Sequence, residues 1–253
     1  IKGDGTTAGA LQLNCEQNSH GIKLQSPAHS ANQSYTLKFP TGNVTAEKFL
    51  RVASVSGSGT TGIGQLDFAD AGGGAFEKLV TTTASNSSSI IFNNTYFTTA
   101  YRDYRVVASH IRSEANDTFF SFYISSNNGS SYVSTNYQYA NYGLRPGSDS
   151  FRMFQNNGTD GFDLRLEANQ GDGTGETLSF DFMIYDPLNQ SSDNQHFMWS
   201  GNMIYHSEND YFWNGNYGGM NYSSASTAYD AIKFQFGSGN IADGTITLYG
   251  RKN

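Results

Sequence analysis

The feature that most constrains the fold of this chain is a strict alternation of apolar and polar residues near its end, in residues 229–250. Apolar side chains occupy every second position on both sides of a Gly-Ser-Gly-Asn break: Ile232, Phe234 and Phe236 before it, Ile246 and Leu248 after it. A period of two with one apolar face predicts two strands, each covering a core on one side only. Because the pattern recurs upstream, residues 76–253 are predicted to form one antiparallel, two-sheeted body that this last hairpin closes.

Composition favours the same fold class. Charged residues make up only 15% of the 253, whereas the chain has 28 Gly, 16 Tyr and 18 Phe. Aromatic residues favour strands and glycines favour tight turns, and no segment has a helical period with caps at both ends. The predicted fold is all-β: a short-strand oligomerising segment followed by a jelly-roll-like antiparallel β-sandwich.

The strands of the sandwich are predicted from short alternating runs between turn residues. They fall at residues 76–83, 89–93, 104–111, 118–125, 150–155, 162–168, 177–185 and 196–205, besides the final two. The alternation is clearest where Phe162, Leu164 and Leu166 are separated by Asp163 and Arg165. A slip of one residue would bury the charges, so the register there is firmly set.

The N-terminal part has a different character. Residues 11–40 contain three short alternating strands, around Leu11 and Leu13, Ile22 and Leu24, and Tyr35 to Phe39. Strands this short cannot bury a core of their own, so residues 1–45 are predicted to be an oligomerising or attachment segment. Residues 46–75 are predicted to be a Gly-rich connector with a possible strand at 49–55, and the domain boundary is placed near residues 72–75.

Two stretches carry a resemblance to a known class of proteins. The run GDGTTAGALQLNCEQNSHGIKLQSPAHSANQSYTLKFPTG, about a sixth of the chain, is similar to a segment common in structural proteins of marine tailed bacteriophages. The ending GSGNIADGTITLYGRK resembles the closing hairpin of β-sandwich domains in the same class, as does NNGSSY at residues 127–132.

The resemblance implies a non-enzymatic virion structural protein at the surface of the phage particle. The first expectation is a tail fibre or fibre-like appendage that contributes to recognition of host-surface glycans. Fibres are commonly threefold, so a homotrimer through residues 1–75 is expected, with other virion proteins and host polysaccharide as further partners. Two alternatives stay open: a capsid decoration or head-fibre protein, and, outside virions, a secreted carbohydrate-binding module.

Charge and hydropathy argue against two other classes of partner. The net charge is −7 and the basic residues are scattered, so no basic surface for nucleic acid is expected. The longest apolar run falls far short of the roughly 20 residues of a membrane-spanning helix, so no membrane insertion is expected.

No motif predicts catalysis, a metal or a cofactor. The candidate pairs of glycan-cleaving carboxylates, Asp163 with Glu167 and Asp181 with Asp186, are interpreted as the solvated faces of strands. The five histidines lack metal-ligand spacing, and the short Asp-Gly runs offer too few oxygens for calcium. Cys15, the only cysteine, is interpreted as a packing residue. A glycan depolymerase is the least favoured class.

The most suggestive chemistry is aromatic. The Gly- and Asn-rich residues 200–222 are predicted to form a long loop on which sugar rings could stack. The candidate glycan contacts are Trp199, Tyr205, Tyr211, Trp213, Tyr217 and Tyr222. The competing interpretation is that several of these rings complete the core, which is also the interpretation of Tyr137 and Tyr139.

Overall fold

The computed structural model describes residues 2–58, 61–69, 74–145, 151–159, 161–166, 169–189, 196–209, 212–222 and 227–252. The chain divides into two compact units, Ile1–Gly73 and Gly74–Asn253, here called unit 1 and unit 2. Strands dominate both, and no α-helix occurs in the described ranges, which confirms the predicted all-β class. Accordingly, no described helix has the length and hydrophobicity to span a bilayer.

Unit 1 contains two small sheets. Its elements are β1 (Ala10–Asn14), β2 (Gly21–Gln25), a 3-10 turn (His29–Ala31), β3 (Tyr35–Lys38), β4 (Phe49–Ser56) and β5 (Gly62–Ala69). Strands β1 and β2 form an antiparallel ribbon, and β5 lies between β3, which runs parallel to it, and β4, which runs antiparallel. The three short strands predicted between residues 11 and 40 are present.

The prediction of a single possible strand in the 46–75 connector is wrong, because β5 forms there as well as β4. Its Gly-rich sequence hides the strand, yet glycine has a reason to be at position 64. A Cβ atom on Gly64 would lie 3.1 Å from Leu37 Cδ2 and 3.3 Å from Val52 Cγ1, so its absence lets the neighbouring side chains close over the strand.

Unit 2 is a sandwich of two antiparallel sheets. Its strands are β6 (Phe76–Thr83), β7 (Ile90–Phe92), β8 (Tyr101–Ser113), β9 (Phe120–Ser125), β10 (Tyr137–Leu144), β11 (Arg152–Thr159), β12 (Phe162–Asp163), β13 (Thr177–Tyr185), β14 (His196–His206), β15 (Phe212–Tyr222), β16 (Ala231–Phe236) and β17 (Ile241–Lys252). The large sheet has the order β11-β10-β15-β14-β13-β8-β17-β6, and the small sheet has the order β12-β9-β16-β7. The two-sheeted antiparallel body is confirmed.

The last two strands do not form the closing hairpin that the sequence predicted. Strand β16 pairs with β7 and β9 in the small sheet, whereas β17 pairs with β6 and β8 in the large sheet. Alternation correctly identified the buried face of each strand, since Phe234 and Leu248 are both fully buried. It could not identify the partner, because the inner faces of both sheets meet in one core.

Two strands were not predicted, and a third is shorter than expected. Strand β10 lay outside the predicted set, and β15, together with the end of β14, occupies most of the predicted loop at residues 200–222. Strand β12 ends at Asp163 rather than 168. Ser150, Glu167 and Ala168, at the ends of two predicted strands, lie outside the described residues.

The core between the sheets is aromatic. Phe122 of the small sheet lies at its centre, with ring centroids 4.8 Å from Phe162, 5.1 Å from Phe182 and 4.9 Å from Trp199. Edge-to-face and offset pairs of this kind add to the stabilisation from burial alone. The strands of unit 2 are therefore held by a continuous set of rings.

Candidate functional site

Four of the six predicted glycan contacts belong to the core rather than to an exposed loop. Trp199, Tyr205, Trp213 and Tyr217 are each between 1% and 3% exposed. They lie on the inward faces of β14 and β15, where every second residue is buried. The glycines and asparagines between them made the sequence look like a loop, but in the β14–β15 hairpin Asn202, Asn214 and Asn216 face outward, and Gly201 and Gly215 share the inward face with the rings.

The other two candidates have different outcomes. Tyr211 lies outside the described residues. Tyr222 is 43% exposed, and its ring stacks on His196 with centroids 4.9 Å apart. Tyr222 is thus the one described candidate whose ring is available at the surface of unit 2.

The buried rings contribute packing and a few hydrogen bonds. The Tyr205 hydroxyl accepts a hydrogen bond of 3.1 Å from the Leu166 backbone N–H. Burial raises the pKa of Tyr217 well above its usual range, and its hydroxyl has no partner among the described residues. Trp199 Nε1 is likewise buried without a described partner, which typically costs about 1–3 kcal/mol.

The two halves of the large sheet differ sharply in the charged residues that their strands carry. Strands β10, β14 and β15, which are adjacent, contain no Lys, Arg, Asp or Glu. The other half carries ion pairs, such as Lys252 with Glu77 at 2.9 Å and Arg105 with Asp181. Among the described residues of unit 2, nine of the ten exposed large apolar ones lie on or next to β10, β11, β13, β14 and β15.

A trough crosses the outward face of the uncharged half. Ala140 of β10, Gly218 of β15 and Ser200 of β14 are in register, so three small residues lie side by side across three strands. The next row on one side holds Gln138, Met220, Met198 and Tyr185, and the row on the other side holds Tyr142, Asn216 and Asn202. The depression is lined by Ala140, Gly218 and the first of these two bordering rows, and its volume of about 930 Å³ is within the usual range for ligand sites.

Side chains of several kinds line this trough. Tyr185 is partly exposed, and a hydrogen bond of 2.9 Å joins its hydroxyl to Ser200 Oγ. Gln155 and Asn157 line the opposite end, on β11. Trp199 also contributes to the lining, which makes it the one predicted candidate that reaches the trough, although from beneath the sheet surface.

A second, smaller depression of about 450 Å³ adjoins the trough and shares Tyr185 and Met198 with it. Its charges are paired: Arg251 with the buried Asp103, and Arg102 with Asp186 at 3.6 Å. Asp103 Oδ1 also accepts a hydrogen bond of 3.0 Å from the Asp186 N–H. The depression therefore holds compensated ion pairs rather than a free charge of one sign.

The predicted carboxylate pairs are not brought together as glycosidic acid–base pairs. Asp181 and Asp186 are five residues apart along one extended segment, roughly 16 Å, and each is paired with an arginine.

Asp163 is only 8% exposed, which corrects its interpretation as part of a solvated face. Its carboxylate is satisfied in the interior because Ser121 Oγ donates to it at 2.7 Å and Arg165 lies 3.6 Å away. Glu167 lies outside the described residues.

The polar turns of unit 1 have local explanations. Asp4 Oδ1 accepts hydrogen bonds from the backbone N–H groups of Thr7 and Thr6, which lower the pKa of this carboxyl to about 2. Within the described ranges, no three His, Cys, Asp or Glu residues are grouped in a way that could hold a metal ion.

Cys15 lies in the turn between β1 and β2 and not in a core, which corrects its interpretation as a packing residue. Its Sγ is 3.5 Å from Ser19 Oγ and 3.8 Å from His20 Nδ1. The Ser19 hydroxyl is the largest cause of a lowered thiol pKa, about 7.

Unit 1 presents a second candidate surface, because its apolar side chains are exposed. In the β1–β2 ribbon, Leu11 lies directly opposite Leu24, and Leu13 directly opposite Ile22. All four are on one face of the ribbon and are 43% to 74% exposed. The three-stranded sheet adds further exposed residues: Tyr35, Leu37, Phe39, Phe49, Leu50, Val52 and Val55.

Comparisons of this chain with family models, with curated proteins and with solved structures find no match.

Proposed function

We propose that this chain is a non-enzymatic structural protein of a bacteriophage virion, a tail fibre or fibre-like appendage. In this proposal unit 1 joins three copies and connects them to other virion proteins. Unit 2 is displayed at the particle surface and contributes to recognition of host glycans. The observation that carries the proposal is the exposed apolar surface of unit 1, in a chain whose other unit is a sandwich with its own core.

The ribbon of unit 1 needs a partner for physical reasons. An isolated two-stranded ribbon is at best marginally stable in water. Its apolar face consists of two cross-strand pairs, Leu11 with Leu24 and Leu13 with Ile22. All four side chains remain largely exposed to solvent. Contiguous exposed apolar surface of this kind marks an interaction site in a soluble protein.

A second copy of the chain is the simplest partner for such a face. Homo-oligomers with closed symmetry are the commonest soluble assemblies, and identical ribbons present identical apolar rows to one another. The threefold number comes from the resemblance of this segment to fibre-like phage proteins. A head-fibre or decoration protein would use the same contact, so its place on the particle needs a separate measurement.

The test of assembly uses the full chain and two matched double variants. Leu13→Lys with Ile22→Lys places charges on the apolar face, and Gln12→Lys with Gln25→Lys places the same charges on the opposite face. Sedimentation should give a mass of three chains for the parent and the control, and one chain for the apolar-face variant. A monomeric parent well above micromolar concentration would overturn the trimer.

The virion assignment has its own test. Antibodies to unit 2 should label phage particles in electron micrographs, with label on the tail supporting the fibre and label on the head supporting the decoration alternative. A chain that is secreted and missing from purified particles would favour the carbohydrate-binding module instead.

A further inference from the structure

The trough on the outward face of unit 2 has a composition that fits one class of ligand. Its three central strands carry no charged residue, while the rows that border it hold amides, methionines and tyrosines. The charged half of the same sheet shows that this fold tolerates surface ion pairs. The absence of charge is therefore local to the trough.

The amides of the trough are available for a ligand. Gln138, Gln155 and Asn157 are exposed on the outward face, and their side-chain amides make no hydrogen bond to another described residue. A primary amide has two donors and a carbonyl acceptor, so it can pair with a hydroxyl group in either direction. Several amides on one face can thus bind a ligand that carries many hydroxyls.

Apolar side chains supply the other half of the contact. Met198 is 44% and Tyr185 38% exposed, and both lie in the row that borders the small residues. The CH faces of a sugar ring can pack on a tyrosine ring or a thioether, while its hydroxyls reach the amides. The trough crosses five strands, from β11 to β13, a length of roughly 19 Å, which suits an extended chain rather than a single small molecule.

We propose that this trough, centred on Ala140, Gly218 and Met220, binds a neutral oligosaccharide or polysaccharide chain. The inference rests on the proposed function, since it gives the sandwich a defined glycan site. It places that site on the outward face, beside Tyr222, rather than on the predicted rings of β14 and β15. An acidic glycan is disfavoured because none of the described residues that line the trough is cationic and able to pair with its charge.

The test fills the trough without disturbing the core. Ala140 is exposed and already carries a Cβ, so Ala140→Leu adds bulk to the trough with no demand on the backbone. Gln138→Met keeps the length of the side chain and removes the amide. Thr81→Leu is the control, because Thr81 is exposed on the outward face at the opposite edge of the same sheet.

Binding of the full chain is measured on an array of neutral and acidic oligosaccharides, and then by titration with the best neutral one. The parent and Thr81→Leu should bind neutral glycans alike. Ala140→Leu should weaken binding by about tenfold or more, and Gln138→Met by about threefold to tenfold. Unfolding curves of the four proteins should coincide.

Three results would overturn the inference: binding to no neutral glycan, binding only to acidic ones, or equal binding by parent and Ala140→Leu. If unit 2 of a second copy covers the trough of the parent protein, the parent will bind no neutral glycan, which is the first of these results. Virion labelling and mass are measured separately, so particles that contain a trimeric chain without glycan binding would refute the trough and leave the fibre assignment intact.

Discussion

Units 1 and 2 are both built from strands, yet they bury their apolar residues very differently. Among the described residues, unit 1 has one buried large apolar side chain, Leu66, and twelve exposed ones. Unit 2 has an aromatic core, and its ten exposed large apolar residues lie almost entirely on one half of one sheet. Unit 1 therefore has strands without a large core, whereas unit 2 has both.

This difference in buried apolar surface predicts that unit 2 is the more stable of the two units. Burial of apolar surface is the main favourable term in folding, and among the described residues unit 2 buries far more large apolar side chains than unit 1. Unit 1 leaves such surface exposed, and in the proposed assembly other copies of the chain would cover it. Substitutions of the same residue type in the two units should therefore have unequal effects.

The largest difference is expected for phenylalanine. Phe122→Ala removes the ring at the centre of the core and should lower the free energy of unfolding of unit 2 by about 3–5 kcal/mol. Phe49→Ala removes a ring that is 61% exposed in unit 1 and should leave that free energy within about 0.5 kcal/mol of the parent. Chemical denaturation followed by tryptophan fluorescence reports on unit 2, which contains both tryptophans. Equal losses in the two variants would refute the contrast between the units.

A smaller difference is expected for glycine. A Cβ on Gly219 would lie 2.6 Å from the Gln138 carbonyl oxygen, which belongs to the backbone of the paired strand and cannot move freely. Gly219→Ala should therefore destabilise unit 2 by about 1–3 kcal/mol. A Cβ on Gly64 meets only the side chains of Leu37 and Val52, both about half exposed and free to shift.

Gly64→Ala is the matched control for this prediction, and denaturation curves of both variants provide the measurement. Gly64→Ala should leave the unfolding of unit 2 unchanged. A Gly219→Ala protein as stable as the parent would show that β10 and β15 separate more easily than their close approach implies.

The sequence predicted the strands of unit 2 best where a large apolar residue filled every inward position. Residues 177–185 were assigned with the bounds that the structure has, because Leu178, Phe180, Phe182 and Ile184 all face the core. Strand β15 was missed because Gly215 and Gly219 occupy inward positions where the pattern needs a large side chain. Those glycines reflect close approach of neighbouring strands, which sequence alone does not reveal.

The candidate site was harder to predict than the fold. Aromatic density drew attention to β14 and β15, but the alternation of Trp199, Met203 and Tyr205 already indicated an inward face. The trough depends on Ala140, Gly218 and Ser200 lying in register, and register across three strands follows from pairing that no local pattern records. The lack of charge in β10, β14 and β15 was the signal available in the sequence.

The smallest expected effect concerns a single thiol of unit 1 and is read as a rate. Cys15 lies in the turn of the β1–β2 ribbon, and the Ser19 hydroxyl is the main cause that lowers its pKa to about 7. The thiolate is the reacting form, so the rate of alkylation by iodoacetamide should rise with pH and reach half its maximum near pH 7. Ser19→Ala should move that midpoint upward, towards the usual value of about 8.5, because the thiolate loses its hydrogen-bond donor.

Mass spectrometry of the full chain measures the rate, and the apolar-face double variant of the ribbon shows whether assembly shields the turn. A midpoint unchanged by Ser19→Ala would mean that Ser19 does not set the pKa, and no reaction in either protein would mean that the ribbon turn is covered.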